Sequence, residues 1–73
     1  MVSKMYNYIR YAMDICDFCK QLTGKVYEYQ CKKSQIIISW FENGKRVTYQ
    51  LNADFYLSIG IRAREAAKMI CDK

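Results

Sequence analysis

The pair Asn43-Gly44 stands between two runs rich in β-branched and aromatic residues, Ile36-Ile37-Ile38-Ser39-Trp40-Phe41-Glu42 and Lys45-Arg46-Val47-Thr48-Tyr49-Gln50-Leu51. A two-residue type I′ turn needs positive φ at both central positions, which Asn and Gly tolerate, so the spacing predicts a β-hairpin over residues 35–51. The turn also sets the register: Glu42 faces Lys45, Phe41 faces Arg46, Trp40 faces Val47, Ile38 faces Tyr49 and Ile36 faces Leu51. Side chains alternate along a strand. One face therefore collects Ile36, Ile38, Trp40, Val47, Tyr49 and Leu51 and is expected to be the core face. The other collects Ile37, Ser39, Phe41, Arg46, Thr48 and Gln50 and is expected to stay open.

Residues 25–32 read as a further strand, with Tyr27, Tyr29 and Cys31 on one side and Val26, Glu28 and Gln30 on the other. If Lys33-Ser34 form a tight turn, Cys31 pairs with Ile36, Tyr29 with Ile38 and Tyr27 with Trp40. Both turns then put the apolar side chains on the same side of the sheet, an agreement in parity that a one-residue slip would destroy.

Helices are expected on either side of the sheet in sequence. In residues 2–22 the polar positions Ser3, Asn7, Arg10, Asp14, Asp17 and Gln21 form one narrow stripe. Opposite lie Met5, Tyr8, Ile9, Ala12, Ile15, Cys16 and Cys19, flanked by Tyr6 and Met13 on one side and Tyr11, Phe18 and Leu22 on the other. A helix apolar over so much of its circumference is buried on more than one side. The sheet covers one side; a second helix or a second copy of the chain must cover the rest, which motivates an expected homodimer. Gly24 suits the C-cap. After Leu51, Asn52 is a good N-cap with Asp54 in the first turn. Phe55, Tyr56, Ile59, Ala63, Ala66, Ala67 and Ile70 keep one helical phase, predicting a single helix to about Cys71. The expected fold is α+β, in the order α-β-β-β-α. A three-stranded antiparallel meander carries two roughly parallel helices on one face.

A chain of 73 residues makes one domain that buries only about 60% of its unfolded surface. With 52% hydrophobic residues, it is too apolar for a disordered chain. No apolar run approaches the roughly 20 residues of a membrane span, and the start of the sequence lacks a signal-peptide core. A soluble, cytoplasmic protein without membrane contact is expected. Twelve basic residues against seven acidic ones give +5. That charge favours nucleic acid or an acidic protein surface as partner and is the wrong sign for a DNA mimic.

Chemistry-bearing residues are few. The sequence contains no histidine, no glycine-rich phosphate loop and no Gly-x-Ser-x-Gly motif, so no enzyme activity and no cofactor are expected. Cys16, Cys19, Cys31 and Cys71 supply four thiols. The expected topology sets Cys31 at the far end of the sheet from Cys16 and Cys19. Only Cys71 is placed to approach that pair, short of the usual four zinc ligands. Packed thiols are the expected role and no metal site is assigned, with zinc or a disulfide as the competing readings. Basic residues cluster at Lys32-Lys33, at Lys45-Arg46, and along Arg62, Arg64 and Lys68. Lys32 and Lys33 share an end of the sheet with the start of the second helix, so they could join Arg62, Arg64 and Lys68 in one phosphate-binding patch.

The stretch Arg62-Ala63-Arg64-Glu65-Ala66-Ala67-Lys68, with the element order above, resembles the double-stranded-RNA-binding domain at the level of fold. The resemblance implies duplex binding through the basic second helix. Ala67 stands where that family has a further lysine, and the family's Gly-Pro…His stretch does not occur in the first hairpin.

Two function classes follow. One is a nucleic-acid-binding module using Lys32, Lys33, Arg62, Arg64 and Lys68, with Phe41 available for base stacking. The other is a protein-interaction module that docks the open sheet face, through Ile37, Phe41 and Arg46, or Leu57 and Ile61, one turn apart outside the expected core face. Its type would be a small phage or mobile-element inhibitor of host machinery, anti-CRISPR proteins included.

Overall fold

The computed structural model describes residues 4–72. Helix α1 spans Lys4–Thr23, and three strands follow: β1 Glu28–Lys32, β2 Gln35–Glu42 and β3 Lys45–Asn52. Helices α2, Ala53–Ser58, and α3, Ala63–Cys71, complete the chain. The expected start of α1 at Val2 and Ser3 lies outside the described residues. The sheet is antiparallel with strand order β1-β2-β3, so the α+β meander expected from the sequence is the fold.

Both turns behave as their residues dictate. Asn43 and Gly44 sit at φ 52° and 78°, the positive values that a type I′ turn demands. Glu42 faces Lys45, Trp40 faces Val47 and Ile36 faces Leu51, as the turn requires. Lys33 takes φ 55°, and Cys31 faces Ile36 while Tyr29 faces Ile38. The ladder starts at Glu28 rather than at residue 25. Tyr27 nevertheless continues the row, its ring 5.0 Å from that of Trp40.

Parity puts Ile36, Ile38, Trp40 and Leu51 into one buried cluster with Tyr8, Tyr11, Ala12, Ile15, Cys16 and Cys19 of α1 and Ala63, Ala66, Ala67 and Ile70 of α3. The second side of α1 is thus covered by α3 from the same chain. Alanines at three of the four buried α3 positions let the helix backbones approach closely. Long-range contacts fix the direction. Along α1, Tyr8 bonds Asp54, Tyr11 bonds Ile61 and Cys19 meets Ala67, so the two helical segments run the same way. At the periphery the sheet covers less than the pattern suggests. Met5 is exposed near the start of α1, and Tyr29 is 37% exposed on the edge strand.

The single helix expected over residues 53–71 is two. Tyr56, Ala63, Ala66, Ala67 and Ile70 face inward, but Phe55 and Ile59, which the continuous phase placed in the core, are 59% and 55% exposed. At its start α2 behaves as expected: the Asn52 side chain accepts from the Phe55 amide at 3.0 Å. Asn52→Ala removes that cap and is expected to cost about 1 kcal/mol, read as a lower urea midpoint at unchanged m-value.

Candidate nucleic-acid interface

The break between α2 and α3 builds the site. The Gly60 amide donates to the Leu57 carbonyl at 3.1 Å and the Ile61 amide to the Tyr56 carbonyl at 2.9 Å. This crossed pair is a Schellman motif with Gly60 at the left-handed C′ position, where φ is +82°. Ile61, expected outside the core face, is instead half-buried and packs on the core. The reason is its C″ place in the motif, which turns it inward onto the core. Its carbonyl accepts from the Tyr11 hydroxyl at 2.7 Å, tying the break to α1. Burial, assisted by the Glu65 charge, pushes the Tyr11 hydroxyl up to about 12, so it remains a proton donor at neutral pH.

Past this tie the backbone is extended at Arg62, φ −81° and ψ 167°, and α3 begins with no side-chain cap. The result is a groove of about 550 Å³ between α1 and the broken helix. Tyr11, Asp14 and Phe18 form the α1 wall; Leu57, Gly60, Ile61, Arg62, Ala63 and Arg64 form the other. A second depression shares Phe18 and Arg64 and extends the groove past Gln21, Leu22 and Lys68. Arg62, Arg64 and Lys68 therefore follow one another along a single path. Among the described residues none of the three has an ion pair or a side-chain hydrogen bond, whereas Asp14 on the opposite wall is held by Arg10 at 3.4 Å.

The remaining candidate residues lie elsewhere. Lys32 ends β1 and Lys33 is in the β1–β2 turn. The Ala53 amide bonds the Ser34 carbonyl at 2.7 Å, fastening that turn against the start of α2. Neither lysine lines the groove. On the open sheet face Phe41 is 59% exposed and Ile37 half-buried. Arg46 donates to Ser39 Oγ at 3.1 Å, which places its guanidinium across the sheet surface and buries the serine. Leu57 is exposed and lines the groove.

The α1 wall was not among the site residues expected from the sequence. Its signal is the flank Tyr11, Phe18, Leu22, which occupies one edge of the helix at spacings of seven and four. Thiols contribute nothing to this groove. Cys16 is buried and its thiol pushed up to about 11, chiefly by desolvation. Cys31, at the other end, donates to the Lys33 carbonyl at 3.3 Å. Among the described residues no group of three or more His, Cys, Asp or Glu side chains is placed to hold a metal ion, and no helix is long and apolar enough to cross a membrane.

Gly60→Ala tests what the break is made of. A Cβ at this position meets nothing within 4 Å, so the cost is conformational. Holding an L-residue in the left-handed region costs roughly 1–2 kcal/mol. A corresponding fall in stability by urea titration is expected.

Compared with known proteins, the chain matches no family model, no curated protein and no solved structure.

Proposed function

We propose that this chain is a small non-enzymatic module that binds duplex nucleic acid, with Arg62, Arg64 and Lys68 taking phosphates along the rim of the α1–α3 groove. The observation that carries the reading is the alignment of these three basic side chains on one path, without acidic partners among the described residues, in a chain of net charge +5. Arg64 and Lys68 are one helical turn apart, so their stems rise side by side. Arg62 precedes them on extended backbone. Lys32 and Lys33 extend the positive surface as a separate cluster beside the start of α2. Phosphate contacts of this kind supply affinity and register with little sequence information, so the binding expected is tolerant of sequence.

A second reading rests on the open sheet face. Phe41 is 59% exposed and Ile37 half-buried there, with Arg46 directly opposite Phe41 in the ladder. Exposed aromatic, aliphatic and arginine groups together suit a protein partner with an acidic rim, as an inhibitor or adaptor would use.

The test is binding of labelled duplex RNA and duplex DNA at low salt by fluorescence anisotropy. Saturable binding that weakens steeply with salt supports the first reading. No binding to either duplex removes it and leaves the sheet face as the interaction surface.

A further inference from the structure

Beyond the end of the groove, two free thiols of α1 and α3 lie near one another. Cys19 of α1 is fully buried, and its Sγ lies 3.9 Å from the Ala67 carbonyl. In an α-helix that carbonyl is the one beneath the residue four positions on, which is Cys71. The Tyr27 hydroxyl lies 3.7 Å from Cys71 Sγ, so Cys71 turns inward toward α1 and the residue that precedes β1. Yet Cys71 is only half-buried, and it lines a depression with Leu22, Thr23, Lys68 and Asp72 through which a small reagent can reach it.

We propose that Cys19 and Cys71 are a modification site that a small-molecule disulfide of the glutathione type converts to an intramolecular disulfide, stapling α3 to α1. The Cys71 thiolate attacks the reagent and expels one thiolate, leaving a mixed disulfide. The Cys19 thiolate then attacks the Cys71 sulfur and expels the second. Two protein thiols lose two protons and two electrons, and the reagent is reduced to two thiols. Burial, with the Cys71 side chain beside it, pushes the Cys19 thiol up from its ordinary value. The second step therefore needs the minor ionised form and accelerates as pH rises.

The staple joins α1 to the last turn of the chain. It closes a long loop, and such closures raise the melting temperature by on the order of 10 °C or more.

The experiment treats the folded full chain with oxidised glutathione at mildly alkaline pH, followed by non-reducing peptide mapping by mass spectrometry and thermal melting. The expected product joins the Cys19 and Cys71 peptides within one chain, melts higher, and reverts with reductant. Cys16→Ser with Cys31→Ser, which keeps only the proposed pair, is expected to give the same link, and Cys71→Ser to give none. Peptide mapping of the wild-type chain decides the matter even if a variant folds poorly. A persistent mixed disulfide on Cys71, a Cys16–Cys19 link, or no reaction overturns the proposal.

Discussion

Truncating Ile38 to alanine is expected to lower the melting temperature by roughly 10–40 °C, while truncating Ile37, its neighbour in the chain, changes it by only a few degrees. Ile38 is fully buried, between Tyr29 and Tyr49 in the ladder, and faces the helices. Removing its side chain leaves a cavity that the surrounding β-branched and aromatic groups fill poorly, at a cost of about 2–5 kcal/mol. A domain of this length has roughly 4–11 kcal/mol of stability in all, so the loss is a large share of the total. Ile37 points to the open face, half-buried between Gln30 and Gln50. The comparison measures parity. Equal effects at the two positions would mean that the sheet has no single core face.

The second large effect concerns binding. Replacing Arg62, Arg64 and Lys68 together by alanine is expected to weaken duplex DNA binding roughly 100- to 1,000-fold at about 0.1 M salt, because each phosphate contact contributes nearly one decade there. The slope of log K against log salt should become shallower by about 2.7, the counterion release of three contacts. All three side chains are exposed and unpaired among the described residues, so stability should change little, within about 0.5 kcal/mol per surface substitution. Replacing Lys32 and Lys33 instead is expected to give a smaller loss, since they stand apart from the groove. A triple variant that binds with the wild-type slope would place the contacts elsewhere.

The parts of the fold that were legible in the sequence are those fixed by short-range chemistry. Asn43-Gly44 dictates a turn type, the turn dictates a register, and the register dictates which of Ile36 to Ile38 is buried. Nothing distant needs to be known. The helix after β3 shows where such reasoning fails. Phe55, Tyr56, Ile59, Ala63, Ala66, Ala67 and Ile70 keep a consistent helical phase across Gly60, and periodicity alone reads them as continuous. The structure breaks there because Gly60 can take a left-handed C′ position. Two crossed hydrogen bonds, and the packing of Ile61 on the core, accompany the stop. A glycine followed by a β-branched apolar residue is the local signature of that motif. It competes with continuation of the helix, and tertiary contact decides, here the Tyr11 hydroxyl on the Ile61 carbonyl.

The candidate site follows the same division. Arg62, Arg64 and Lys68 were visible as a basic run. That they line a groove was not, because the groove exists only through the break and the facing α1 wall of Tyr11, Asp14 and Phe18. The same break turned Phe55 and Ile59 outward and Ile61 inward. The basic start that the sequence assigned to a continuous second helix is thus the start of α3, displaced from Lys32 and Lys33 by the whole of α2.

The most direct measurement is two-dimensional amide NMR of the labelled protein titrated with a short duplex at low salt. Shifts are expected to concentrate at residues 62–68 and at the α1 wall from Tyr11 to Leu22, all reversed by added salt. Shifts centred on Phe41, Arg46 and the open sheet face, or a spectrum that the duplex leaves untouched, would contradict it.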